Sequence, residues 1–303
     1  MQKSSKIWLN GELVDWDQAK IHVLTHGLHY ATGVFEGIRC YETDAGTIIF
    51  RMQDHVKRFF DSAKIYMMEM SYGFDEICDA IIQVVKVNAL PNCYVRPIAY
   101  YGYGRMGVTP LNRVDVAIAV WKWDEYLKSD SNEGIRCVIS SWRRLDPRTM
   151  PLQAKATANY ANSALARIEA LKSGYDEGIM LNVDGRVAES SAENIFIVKD
   201  AVLVTPPTTA GALEGITRDS VIEIAKLNNI PYQIADITRD ELYIAEEIFL
   251  TGTAAGIKPV IEVDKRKIGN GEVGIVTKKM RKLYEDVVMG RDGRFRKWLT
   301  YVK

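Results

Sequence analysis

Lys155 is the residue from which the chemistry of this chain can be read. It stands between Met150-Pro151-Leu152-Gln153-Ala154 and Ala156-Thr157-Ala158-Asn159-Tyr160, and the nearest charged residues in sequence are Arg148 and Arg167. Solvated lysines more often sit among other charges. One set among small residues, just before a helix-forming run, is placed to be held and approached. Lysine is also the side chain that forms a Schiff base with a carbonyl compound, once burial or nearby positive charge lowers its pKa. By itself the setting also suits a surface lysine whose stem snorkels. What accompanies it decides.

Two turns in the second half of the chain look built for a phosphate. Gly215-Ile216-Thr217 opens a helical run from Arg218 to Leu227, where N–H groups outside the helix ladder and the positive dipole end favour an anion. Thr251-Gly252-Thr253-Ala254-Ala255-Gly256 follows the apolar run Glu247-Ile248-Phe249-Leu250 and offers hydroxyls and open backbone amides. Either turn alone is an ordinary helix cap or tight turn. Joined to a sequestered lysine, they point to a phosphorylated aldehyde, pyridoxal 5′-phosphate. Such a group needs an anion at its pyridine nitrogen, because a protonated ring is the better electron sink. Glu189 is the candidate, closing the run Arg186-Val187-Ala188-Glu189 ahead of the small residues Ser190, Ser191 and Ala192.

Two other motifs carry less. Gly102-Tyr103-Gly104-Arg105-Met106-Gly107 fits the dinucleotide fingerprint, but Val108-Thr109-Pro110-Leu111-Asn112-Arg113 leads into the next strand where a helix is required. His22, His26 and His29 have helical spacing, yet Gly27 and Gly33 interrupt the segment and no acidic residue lies among them. Packed or hydrogen-bonded histidines are the better reading, and no metal is expected.

The elements that must position these residues are a mixture of strands and helices without a regular βαβ alternation. Lys6–Leu9 and Glu12–Val14 form a hairpin around Asn10-Gly11, and Thr47–Arg51 is a further strand. Met52, Val56, Phe59, Phe60 and Ala63 recur at helical spacing, as do Ile77, Ile81, Val84 and Val85 behind an expected Asp75 cap. Strands run from Cys93 to Tyr101 and from Asp115 to Trp123. The polar stretch 129–134 reads as a linker between domains at 1–128 and 135–303. Beyond it come a strand to Ser141 and a helix from Ala161 to Lys172 stopped by Gly174. A hairpin across Asp184-Gly185 and strands either side of a Lys199-Asp200 turn follow. Then come a helix behind Thr217, a Thr238-x-x-Glu241 capping box, a strand from Glu247 to Thr251 and a helix from Gly274 to Met289. Strands in hairpins with separate helices argue α+β.

With 303 residues, more than one core is expected. Thirty-nine basic residues balance thirty-nine acidic ones, so no overall field draws the chain to nucleic acid or an acidic membrane. Four scattered cysteines, no signal-like start and no long apolar run suggest a cytoplasmic protein.

The segment His22-Val23-Leu24-Thr25-His26-Gly27-Leu28-His29-Tyr30-Ala31-Thr32-Gly33-Val34-Phe35-Glu36-Gly37-Ile38-Arg39 resembles the N-terminal signature of branched-chain amino-acid aminotransferases. Tyr94-Val95-Arg96-Pro97, Ser141-Trp142-Arg143-Arg144, Glu189-Ser190-Ser191-Ala192-Glu193-Asn194, Gly215-Ile216-Thr217-Arg218 and Thr251-Gly252-Thr253-Ala254-Ala255 match the same family in order. The likeness runs from about Ile7 to the final helix. One departure is Thr157-Ala158, where bacterial members commonly have Gly-Gly. The resemblance implies a two-domain fold type IV pyridoxal-phosphate enzyme, with a smaller N-terminal α/β domain and a larger C-terminal domain of β-barrel-like core and helices. It implies Lys155 as catalytic lysine, Glu189 on the pyridine nitrogen and Tyr160 on the phenolic oxygen. Arg58, Ile216, Thr217, Gly252 and Thr253 would hold the phosphate; Arg58 lies off the apolar stripe of its helix, able to reach an anion.

Along the strand from Cys93 to Tyr101, residues Tyr94, Arg96, Ile98 and Tyr100 share one face. Pro97 points the other way and marks an edge strand. A phenol and a guanidinium on an apolar face suit a pocket that takes a hydrocarbon side chain in one half-reaction and a second carboxylate in the other. The family likeness adds Phe35, Trp123 and Tyr126 as walls, Arg96 with Tyr30 on the distal carboxylate, and Arg39, Val108, Thr253 and Ala254 as further substrate contacts. Tyr30 and Val108 would come from a partner subunit, so a homodimer is the minimal active unit, alone or within a hexamer. The expected reaction is transamination of leucine, isoleucine or valine with 2-oxoglutarate. A D-amino-acid transaminase, an aminodeoxychorismate lyase and a non-catalytic pyridoxal-phosphate-binding protein are the alternatives.

Overall fold

The computed structural model describes residues 3–109, 112–123 and 134–302. Contacts divide the chain into two units, one of Met1–Asp124, Ala154–Ala158 and Val287–Lys303, the other of Glu125–Gln153 and Asn159–Asp286. The expected division at 129–134 would leave the short run at Lys155 and the C-terminal residues with the second half. Hydrogen bonds explain their place in the first: Val302 N reaches Thr47 O at 2.9 Å, and Thr157 N reaches Gly33 O at 2.9 Å. Of the expected linker, all but Gly134 lies outside the described residues.

The first unit is built on one mixed-length sheet of eight strands. Its order is Leu299–Tyr301, Gly46–Phe50, Ile38–Thr43, Cys93–Tyr101, Val114–Lys122, Lys6–Leu9 and Glu12–Asp15, with Gly33–Phe35 also paired to Cys93–Tyr101. The two central strands run antiparallel in full register, Cys93 opposite Lys122 and Tyr101 opposite Val114. Alternation then sorts their side chains. Cys93, Val95, Ala99 and Tyr101, with Val114, Val116, Ile118 and Val120, enter one core cluster with the inner faces of the helices Met52–Ile65 and Phe74–Asn88. The opposite face carries Tyr94 and Arg96.

Pro97 does not mark an edge. Its strand is paired on both sides, and proline is tolerated because the neighbouring chain breaks there. Gly33–Phe35 pairs opposite Ile98–Tyr100, Ile38 and Arg39 pair opposite Val95 and Tyr94, and between them Glu36 N donates to Pro97 O at 2.9 Å. No strand on that side requires the missing N–H. The Asn10-Gly11 hairpin forms with φ of 49° and 96°, Leu9 opposite Glu12. Asp75 is not the cap of its helix. Gly73 is, and Glu76 reaches back to accept from Gly73 N at 2.6 Å.

The second unit holds a nine-stranded sheet ordered Val187–Ser190, Glu177–Leu181, Ile135–Ile139, Gly256–Val263, Glu247–Gly252, Asn194–Lys199, Val202–Thr205 and Tyr232–Ile234, with Arg266–Lys267 on Gly256–Val263. Near-continuous burial along Glu177–Leu181, Val187–Ser190 and Asn194–Lys199 marks strands covered on both faces. Three of its pairings are parallel, and Gly256–Val263 is a strand that periodicity did not reveal. The turn after Lys199 falls at Asp200-Ala201, both at positive φ, one residue later than expected. The helix expected from Ala161 starts at Asn159, and the helix expected behind Thr217 is Ile216–Leu227, capped at Gly215. Thr238 and Glu241 do make the capping box of Arg239–Ile244. Among the described residues no helix is long and apolar enough to cross a membrane.

Candidate active site

In the first unit, Lys155 is clamped by its backbone. Its N–H donates to Ser62 Oγ at 3.0 Å, and its carbonyl accepts from Phe35 N at 2.9 Å. Ala156 bridges Val34, so the segment lies along the strand Gly33–Phe35 as a short extra rung. Thr157, the family departure, donates its hydroxyl to Ala31 O at 2.8 Å. The half-buried amine lies 5.2 Å from the centre of the Phe35 ring. Burial and the Arg58 guanidinium disfavour its charge, and the amine is pulled down to about 8 although Glu36 and Tyr94 oppose them.

Arg58 is not a loose helix charge. Its Nε and Nη2 donate to the two oxygens of Glu36 at 2.6 and 3.0 Å. His55 Nδ1 stands 2.7 Å from Glu36 Oε2, and both residues are buried. Burial alone would raise the Glu36 carboxyl, but Arg58 and His55 outweigh it and hold it well below the usual carboxylate range. Burial, helped by Arg58 and Lys155 and opposed by Glu36, lowers the His55 imidazole. Glu36, His55 and Ser62 were not singled out in the sequence. The signal was there in part: His55, Arg58 and Ser62 fall at i, i+3 and i+7, one polar line beside the apolar stripe of Met52–Ile65.

The sheet face beside this group is aromatic and cationic. Arg96 lies over Phe35 at 4.7 Å, over Tyr94 at 5.3 Å and over Trp121 at 5.9 Å. Tyr94 stacks on Trp123 at 4.6 Å, and Arg39 lies over Trp123 at 5.1 Å. The Nε atoms of Arg39 and Arg96 are buried without a hydrogen-bond partner. A Cβ at Gly37 would overlap the Tyr94 hydroxyl, so glycine is what lets the phenol in. Trp121, which sequence reading did not single out, lies on the same face, its ring 5.1 Å from that of Tyr94. Tyr126 lies outside the described residues. Tyr30 and Val108 are on the surface of this unit, 39% and 86% exposed.

The three histidines are each engaged locally. His26 is buried between Thr32 Oγ1 at 2.8 Å and Gly107 O at 2.6 Å, His29 Nε2 meets Val23 O, and His22 Nδ1 accepts from Leu24 N. Among the described residues, no group of three His, Cys, Asp or Glu side chains is set to hold a metal. The glycine motif at 102–107 is a loop between strands, pinned by Asn112 Nδ2 to Gly102 O and Arg105 O.

In the second unit Glu189 is buried, and its oxygens meet Arg144 Nη2 at 2.8 Å, Leu213 N at 3.1 Å and Asn194 Nδ2 at 3.2 Å. Arg144, also unforeseen as a site residue, is fixed in turn on Gly211 O and Ser163 Oγ. Asn194 ties this carboxylate to both expected phosphate turns. It pairs opposite Thr251, and a Cβ at Gly215 would overlap its side-chain oxygen. Ile216 and Thr217 form the first turn of the helix Ile216–Leu227. Gly252 ends a strand, with Thr253 and Ala254 in the turn after it, and Thr251 Oγ1 is buried without a partner. Tyr160 lies in the first turn of Asn159–Lys172.

A family model for amino-transferase class IV matches residues 33–263. The branched-chain-amino-acid aminotransferase of Escherichia coli K12 is 44% identical over 304 residues, covering 99% of this chain and 98% of that one. That of Pseudomonas aeruginosa is 46% identical over 299 residues, covering 98% and 97%. The solved T.th. branched-chain amino acid aminotransferase with pyridoxamine 5′-phosphate matches with a TM-score of 0.97 at 46% identity, over 100% of both chains. With likeness of this extent in sequence and in fold, the chain belongs to the class IV aminotransferases, among the branched-chain-amino-acid aminotransferases.

Proposed function

We propose that the chain transfers the amino group of leucine, isoleucine or valine to 2-oxoglutarate with pyridoxal 5′-phosphate, in two alternating half-reactions. The observation that carries this is Lys155, a clamped amine brought down to about 8 beside Arg58 and an aromatic face bearing Arg96. When bound, the cofactor supplies an aldehyde to receive the amino group and a ring that draws electrons from the bond being broken. The donor set fits such a group: an anion at Glu189, a helix N-terminus at Ile216 and Thr217, and an unpartnered hydroxyl on Thr251.

The chain's own residues then divide the work. Lys155 Nζ binds the aldehyde and, as the neutral amine, moves the α-proton of the substrate. Glu189 holds a proton on the ring nitrogen, and Tyr160 orients the phenolic oxygen. Arg58, Ile216, Thr217, Gly252 and Thr253 take the phosphate. Phe35, Tyr94, Trp123 and Tyr126 exclude water around the hydrocarbon side chain. Arg96, with Tyr30, takes the distal carboxylate of glutamate, while Arg39, Val108, Thr253 and Ala254 complete the substrate contacts. Tyr30 and Val108 act from the partner subunit of a homodimer, whether alone or within a hexamer. Support comes from the apolar surface beside them, where Val23, Leu28 and Tyr103 are all more than 60% exposed. Four buried free thiols suit work in a reducing cytoplasm.

The test is a coupled assay of L- and D-amino acids with 2-oxoglutarate. Turnover of the three L-branched-chain substrates, dependent on the acceptor, is expected. Preference for D-amino acids, or turnover of a substrate without an acceptor, would replace this reading with one of the other fold type IV activities.

A further inference from the structure

Glu36 has no exposed surface, and its carboxylate bonds to groups on the helix that also holds Lys155. Its Oε1 accepts from Arg58 Nε, and its Oε2 accepts from Arg58 Nη2 and from Gly37 N at 3.1 Å, with His55 Nδ1 at 2.7 Å. A buried carboxylate with a two-point hold on an arginine fixes the plane and direction of that guanidinium. The helix Met52–Ile65 supplies the rest of the frame: Ser62 donates its hydroxyl to Arg58 O at 2.7 Å while accepting Lys155 N. Arg58 and Lys155 are therefore held through the same turn of helix.

We propose that Glu36 is a positioning residue for both. Its two-point hold presents Arg58 to a phosphate, and its charge shields the Lys155 amine from that same arginine. The phosphate half of this rests on the cofactor reading given above. The groups facing Lys155 are Arg58 and His55 from the helix, Phe35 and Glu36 from the segment after Gly33, and Tyr94 and Arg96 from the central strand. Arg58 and Arg96 push its proton off, whereas Glu36 and Tyr94 retain it. Removing the Glu36 charge takes away one of the groups that oppose the two guanidinia. A carboxylate that only held the fold together would leave the titration of Lys155 where it was.

The experiment is competitive acetylation of the full-length protein stripped of cofactor, with the Lys155 peptide quantified across pH. Glu36→Gln keeps the shape and loses the charge, so the Lys155 midpoint should fall by roughly one unit. Glu36→Asp keeps the charge and loses the reach. Its midpoint should stay with the wild type, while pyridoxal phosphate binds roughly tenfold more weakly and pyridoxal, which lacks the phosphate, binds as before. An unmoved midpoint in a folded Glu36→Gln variant overturns the shielding role. Wild-type affinity for pyridoxal phosphate in Glu36→Asp overturns the positioning role, and is decisive even if Glu36→Gln does not fold. A wild-type protein that takes up no pyridoxal phosphate would instead remove the cofactor reading, with acetylation still judging Glu36 at the lysine.

Discussion

At Lys155, burial and Arg58 act in the same direction, and both disfavour the ammonium form. The folded protein binds fewer protons than the unfolded chain between about 8 and the ordinary lysine range, so this group's contribution to stability is missing below about 8 and grows as pH rises through that window. In the protein stripped of cofactor, acetylation of Lys155 should therefore rise through a midpoint near 8; a midpoint close to 10.5 would mean that the amine is solvated. Arg96 presents a different case, because aromatic faces surround its guanidinium and its Nε has no hydrogen-bond partner. Cation–π contact holds the charge in place without neutralising it. Replacing it as Arg96→Met keeps an apolar stem. The glutamate half-reaction should lose about 2–5 kcal/mol of specificity, while the leucine half-reaction changes little. Single-turnover rates for both substrates on the same variant decide it. Equal losses would make Arg96 a structural residue or an anchor for the α-carboxylate.

The helix Ile216–Leu227 is capped by a glycine, Gly215, because Asn194 occupies the space a side chain there would need. A Cβ there overlaps the Asn194 side-chain oxygen, and Asn194 in turn donates to Glu189 and to Leu213 O. Gly215→Ala should cost about 1–3 kcal/mol in urea unfolding and weaken retention of pyridoxal phosphate. Gly293→Ala, where a Cβ meets open space, serves as the control. Retention equal to the control would separate the helix start from the Glu189 support. This coupling also shows what the sequence could convey. Hairpins at Asn10-Gly11 and Asp184-Gly185 were legible because each turn sets a glycine at positive φ, and Lys155 stood out for its uncharged surroundings. Glu36 and Arg144 were not. A lone glutamate in an apolar run gives no sign of which arginine will meet it, and the partner lies 22 residues away. Pro97 misled for a related reason: the break in the adjacent strand that tolerates it is a property of pairing, invisible along one strand.

For the whole molecule, the question is what covers the apolar surface of the first unit. The segments at 21–30 and 102–108 are fastened together by the Thr25–Tyr103 bridge and by His26 on Gly107 O. Between them they expose Val23 at 66%, Leu28 at 61%, Tyr103 at 61% and Val108 at 86%. Single exposed apolar residues are common, but a fastened group of them is a surface meant to be covered. If a second copy covers it, Val108→Asp places an uncompensated charge in the contact. That should cost about 3–5 kcal/mol, roughly a hundredfold or more in the dimer dissociation constant. Because Tyr30 and Val108 are proposed to act across the interface, specific activity should fall together with the dimer on dilution. Sedimentation velocity and turnover, measured at the same protein concentrations, test both halves. Dimers as tight as the wild type would place the interface elsewhere, and a monomer with full activity would show that one chain completes its own site.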